Sequence, residues 1–156
     1  MQPIVVAVDF SNTSLHCIEY AIPLANKMKT DIILVWVDKI TPQESVYPDT
    51  SAQNRNEAKK RFEELMVMFG KKMGKGLKID YKLRKGKVHH EVDTLAKNLQ
   101  AQLIITGAHG ISGYEEYWIG SNAFKMVSYA TLPVITVRHD FSITKGINSR
   151  KHNFVL

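Results

Sequence analysis

The chain is short of the residues that several large classes of protein require. One cysteine, Cys17, stands among 156 residues, so no intramolecular disulfide can form, and its expected role is that of a small packed residue without redox work. No apolar run approaches the roughly 20 residues needed to cross a bilayer. The opening Met1-Gln2-Pro3-Ile4 lacks the basic and apolar regions of an export signal, so a cytoplasmic location is expected. His90-Glu91 begins like the zinc motif H-E-x-x-H, but Thr94 occupies the second histidine position. No lysine precedes Ser121, which removes the P-loop of motor-type nucleotidases. Gly110-Ile111-Ser112-Gly113 is not the G-x-S-x-G of a serine hydrolase, and no acid–base partner is identifiable. Membrane, disulfide-framework, zinc-protease and P-loop classes are thereby set aside.

Acidic charge is in the minority. Lys and Arg number 21 against 15 Asp and Glu, giving a formal charge of +6 and a pI near 9.4. The excess is spread out: Lys59, Lys60 and Arg61 alternate with Glu57, Glu63 and Glu64, as on a solvated helix face. No aromatic platform alternates with the basic residues, so the charge speaks for a surface with some affinity for anions and against nucleic-acid binding. The hydrophobic share of 44% is ordinary for a globular domain of this length, large enough to bury a real core.

What is present alternates. Residues 3–9 and 31–37 are nearly continuous apolar, β-branched runs, the pattern of strands buried on both faces of a parallel sheet. Between them Leu15, Ile18, Ala21, Ile22 and Ala25 recur at helical spacing behind the N-cap candidates of residues 11–14, with Pro23 expected to bend the helix near Ile22. A loop over residues 38–51 is longer than most connections. A charged helix over residues 52–73 follows, with Ala58, Phe62, Leu65, Met66 and Phe69 as its buried stripe and its methionines expected to pack. Residues 77–84 alternate as an edge strand does, Gly86 turns the chain, and residues 88–99 make a third amphipathic helix. A fourth strand is expected over residues 103–106, a helix from Ser121, and a last strand, residues 134–137, opened by Pro133. The order β-α-β-α-β-α-β-α-β means a parallel sheet with right-handed crossovers and helices on both faces. In such sheets ligands bind beyond the carboxyl ends of the strands, where the strand order reverses.

The chain turns on residues 106–110, Thr-Gly-Ala-His-Gly, with Gly120-Ser121 further on. This glycine loop follows the fourth strand, and Gly120-Ser121 sits at a helix N-terminus, where unpaired backbone N–H groups and the helix dipole favour phosphate. Asp9 closes the first strand and would face the same crevice.

On these residues the sequence resembles the universal stress protein family. The family signature G-x2-G-x9-G-[ST] reads Gly107, Gly110, Gly120 and Ser121 with every spacing kept, and the internal [ST]-G reads Ser112-Gly113. The opening strand ends in Asp9-Phe10-Ser11, the second in Val37-Asp38, and Pro133-Val134 introduces the last, so the likeness covers roughly residues 3–138. The resemblance implies an α/β fold, Rossmann-like and akin to the adenine nucleotide alpha hydrolases, with five parallel strands in order 3-2-1-4-5. It also implies ATP binding, with Mg or Mn carried in by the phosphates. In that branch Ala7, Val8 and Asp9 line the ribose and adenine side and Val37 meets the adenine. Thr106 and Gly107 close over the nucleoside, while His109, Gly110, Gly120, Ser121, Asn122 and Ala123 hold the phosphates. The family often has Ser or Thr where Ala123 stands; a lost hydrogen bond to a charged group is worth about 1.5–3 kcal/mol, so weaker binding is expected.

The expected function is a nucleotide-binding stress-response regulator, at most a slow ATPase because no general base is identified. The other reading is a dimeric interaction module that binds no nucleotide. The resemblance supplies a homodimer through Val134 to Val137. A domain over residues 1–140 and a tail over residues 141–156 are expected.

Overall fold

The structure, a computed structural model, describes residues 2–40, 51–109 and 119–139. Residues 41–50 of the expected loop over residues 38–51, signature residues Gly110 and Ser112-Gly113, and the tail lie outside them.

Five strands form one parallel sheet: β1 (Ile4–Ala7), β2 (Ile32–Lys39), β3 (Ile79–Gly86), β4 (Leu103–Gly107) and β5 (Val134–Val137). Their order is β3-β2-β1-β4-β5, the order the resemblance implied. Four helices connect them: α1 (Asn12–Met28), α2 (Ser51–Gly70), α3 (Val88–Asn98) and α4 (Ser121–Tyr129). The chain moves outward from β1 to β3, then crosses back and moves the other way from β4 to β5. Right-handed crossovers travelling in opposite directions must use opposite faces. Accordingly Ile18 and Ala21 of α1 and Phe62 of α2 pack with Ile4, Val6 and Leu34, while Val92 of α3 and Met126 of α4 pack with Val5, Val35 and Ile104. Alternate residues of β1 thus feed two cores, which is why its sequence is apolar throughout.

Local chemistry sets the ends. Ser11 caps α1, its hydroxyl accepting from the Ser14 amide, and Lys29 closes the helix in the left-handed conformation at φ 54°. Pro23 lies on the exposed side of α1, which continues past it to Met28. The Asn26 side chain ties α1 to the turn that follows α2, accepting from the Gly74 amide at 2.7 Å and donating to the Lys72 carbonyl at 3.0 Å. Cys17 is buried beneath α1, and its burial, then the nearby Asp9 charge, push the thiol up to about 12. That fits a packed, unreactive residue.

Boundaries differ from the sequence expectation in places. Asp38 and Lys39, expected in a loop, extend β2 because β3 continues beside them, pairing Asp38 with Lys85 and Lys39 with Gly86. Gly86, expected as the turn after β3, is its last residue, at φ 144° and against the Glu91 side chain. Helix α2 stops at Gly70, three residues early, and Met68 on it is exposed while Met66 packs as expected.

Candidate functional site

The reversal of strand order falls between β1 and β4, which pair directly from Ile4–Leu103 to Val6–Ile105. Beyond their carboxyl ends two helix N-termini come in. That of α1 is held against β4 by Gly107: a Cβ there would lie 2.7 Å from the Thr13 methyl. That of α4 is held by a hydrogen bond of 2.7 Å from the Gly120 amide to the Ala108 carbonyl, just past β4. Ala108 in turn donates to Val137 of β5 at 2.8 Å. The loop ends on either side of the crevice are therefore tied to the sheet.

Each expected residue can now be placed. Asp9 follows β1, and its Oδ1 accepts from both the amide (3.0 Å) and the hydroxyl of Ser11. Its other oxygen, Oδ2, has no partner among the described residues, leaving one acceptor for a ligand. Phe10, next in the chain, is held at φ 64°, unusual for a bulky residue. Its ring packs on Phe62 at 4.9 Å, and the Arg61 guanidinium lies over it, 5.2 Å from the centroid. Ala7 is half-buried, whereas Val8 and Val37 have their side chains in the two cores, so a base beside them would meet backbone. Thr106 is buried at the end of β4.

Gly107 and Gly120 also make contacts within the protein that the sequence did not indicate. The missing side chain of Gly107 makes room for Thr13 of the protein itself. The Gly120 amide, expected to face a phosphate, is already satisfied by Ala108. The next three amides are different. The first intrahelical bond of α4 runs from Phe124 to the Gly120 carbonyl. Ser121, Asn122 and Ala123 have no backbone acceptor among the described residues, and Gly120 supplies no side-chain cap. Ser121 and Asn122 are exposed; Ala123 is 2% exposed, so its amide is what it can offer. His109 lies at the same edge with both ring nitrogens buried and without a partner. Its ring stands edge-on to that of His139, centroids 5.6 Å apart. No group of three or more His, Cys, Asp or Glu among the described residues could hold a metal ion. Nor is any described helix long and apolar enough to cross a membrane.

The sequence model of the universal stress protein family matches residues 1–138. The chain belongs to the universal stress protein family. Its similarity to relatives runs along most of the chain. It is 28% identical over 146 residues to universal stress protein YxiE of Bacillus subtilis, covering 85% of this chain and 96% of that one. Among solved structures it resembles the universal stress protein UspA from Lactobacillus plantarum, with a TM-score of 0.74, 22% identity, and coverage of 88% and 97% of the two chains. It also resembles the universal stress protein from Archaeoglobus fulgidus solved in complex with dAMP, with a TM-score of 0.66, 22% identity, and coverage of 88% and 98%. At these identities the structural likeness carries the fold.

Three participants in this universal stress protein's crevice were missed from sequence. Thr13 and the Ala108 carbonyl act through contacts that only the assembled sheet creates. His139 lies two residues beyond β5, and the parallel order 4-5 already placed it beside the residue following β4, so topology could have pointed to it.

Proposed function

We propose that this universal stress protein binds an adenine nucleotide, ATP or a relative, at the β1–β4 switch point and acts as a nucleotide-responsive regulator. The observation that carries the reading is the row of amides at Ser121, Asn122 and Ala123, unpaired among the described residues at the start of a nine-residue helix. Such a terminus presents N–H donors and the positive end of the helix dipole to an anion. The Asp9 carboxylate oxygen without a partner among the described residues suits ribose hydroxyls, and one unpartnered ring nitrogen of His109 suits a phosphate oxygen. A divalent ion would arrive with the phosphates, since a polyphosphate supplies the oxygens that Mg prefers. The dAMP held by the Archaeoglobus fulgidus protein agrees in its adenine base. No residue is assigned a catalytic role.

Proline substitution gives a clean test. Ser121 is the first helical residue, where proline is tolerated because that N–H has no intrahelical acceptor. Gly120 before it, at φ −62° and ψ 154°, already has the extended backbone that a residue preceding proline requires. Ser121→Pro therefore deletes one amide donor and the hydroxyl, while Ser121→Ala deletes the hydroxyl alone. In calorimetric titration with ATP, Ser121→Pro is expected to bind about 10–100-fold more weakly than Ser121→Ala, the worth of one hydrogen bond to a charged group. Equal affinities in the two variants would remove α4 from the site. A protein that binds no adenine nucleotide at all, and releases none on denaturation, would instead be the dimeric interaction module.

A further inference from the structure

We propose that His109 and His139 together bind a divalent transition-metal ion, zinc being the simplest case, through one ring nitrogen each. The two imidazoles come from neighbouring strand ends, His109 two residues after β4 and His139 two residues after β5. The β4–β5 ladder fixes that proximity through the Gly107–Val137 pair and the hydrogen bond from Ala108 to Val137.

Two observations point to a ligand. The first is desolvation without compensation. Both nitrogens of His109 are buried and lack a hydrogen-bond partner, a state that costs about 1–3 kcal/mol per unsatisfied group. No described side chain or carbonyl relieves it. The second is spacing. With metal–nitrogen bonds of about 2.0–2.1 Å, an ion lies roughly 3.2 Å from each ring centre, so two imidazoles at a tetrahedral angle have centroids about 5.2 Å apart. The observed separation is 5.6 Å, with ring planes crossing at 81°. Bringing one nitrogen of each ring onto an ion takes a rotation of His139, which is exposed, and that exposure also gives an ion its way in.

The ligand type narrows the ion. Neutral imidazole suits Zn, Cu and Ni, while Mg and Ca prefer oxygen. Two nitrogens fill half of a tetrahedral shell, leaving two positions to water or to an anion in the adjacent crevice. The site is thus distinct in chemistry from a magnesium ion carried by phosphates, and it needs no nucleotide.

The test is calorimetric titration of the untagged full chain with Zn2+ at pH 7.5, without nucleotide, so its outcome is independent of the nucleotide reading. One ion per chain is expected. His139→Ala should weaken binding roughly tenfold or more, the loss that even a supporting partner of a metal ligand produces, whereas His90→Ala, on the exposed side of α3, should leave it unchanged. Because His139 is exposed, its variant keeps the fold, which circular dichroism verifies. Co2+ added to the wild type should give the intense visible bands of a nitrogen-ligated, low-coordinate ion, lost in His139→Ala. Zn2+ affinity equal in wild type and His139→Ala, loss in His90→Ala instead, or no binding by the wild type would each overturn the proposal.

Discussion

At the scale of single residues, the crevice is shaped by what Gly107 omits. A methyl group there would stand 2.7 Å from the Thr13 methyl, closer than side-chain carbons approach in folded proteins, and a tight 3.2 Å from the His109 carbonyl. The conformation of Gly107 is one any residue adopts, so the requirement is for space and not for backbone freedom. Gly107→Ala should therefore act as overpacking, lowering stability by about 1–3 kcal/mol in urea unfolding. Thr13→Ser removes the methyl that the new group strikes while keeping the hydroxyl. The double variant should recover part of the loss, giving a coupling energy that two independent sites would not show. Strict additivity would mean that Gly107 is needed for something other than Thr13. Both residues flank the crevice, so under the proposed function Gly107→Ala should also weaken nucleotide binding, through displacement of α1.

At the scale of elements, α3 is latched to the turn that starts β5. The carboxylate of Asp93 accepts from the amide and hydroxyl of Thr131, each at 2.9 Å, and pairs with Lys97 one turn along at 3.0 Å. Burial alone would raise the carboxyl, but the Thr131 amide, then Lys97 and the Thr131 hydroxyl, outweigh it and hold it below its ordinary value of 3.8. A carboxyl lowered in the folded state stabilises the fold fully above the unfolded value and loses that contribution as pH falls through the folded one. Asp93→Asn is expected to lower stability by about 1–2 kcal/mol at neutral pH, the difference between charged and neutral acceptors. The gap from wild type should begin to narrow in urea midpoints once the pH falls below about 4, and shrink further as the pH drops. A gap independent of pH would assign the loss to geometry. The latch shows where sequence reading runs out. Element types followed from periodicity, because β-branched runs such as residues 3–9 and stripes such as Ala58, Phe62, Leu65 and Phe69 report which faces are buried. Strand lengths did not, since Asp38 and Lys39 are polar and join β2 only because β3 offers them partners. In the crevice, the glycine spacing located the helix N-terminus, but not that Ala108 takes the Gly120 amide. That bond depends on where α4 docks, which no local signal encodes.

For the whole molecule, the consequential feature is that the sheet ends in two unlike edges. β3 is lined outward by Asp80 and Lys82, charges that discourage another strand from adding. β5 carries no charge over Val134–Val137. The helix packed on it, α4, exposes Phe124 and Val127, which lie three residues apart and so share a side. An uncharged edge beside apolar helix residues is what a closed twofold pairing would cover, and we propose the homodimer through β5 that the resemblance implied. The ladder says how to test it without harming the fold. The Pro133 and Val137 carbonyls accept from Ile104 and Ala108 of the β4 side, so the odd-numbered residues face inward and the Thr136 N–H points to the outer edge. Thr136→Pro removes that outward donor and leaves the bonds to β4 in place, as proline on an edge strand allows. Light scattering should then give a dimer for the wild type and a monomer for Thr136→Pro, with unchanged secondary structure. A variant that remains dimeric would move the interface off β5 and onto another surface, with the exposed face of α4 the next to be tested.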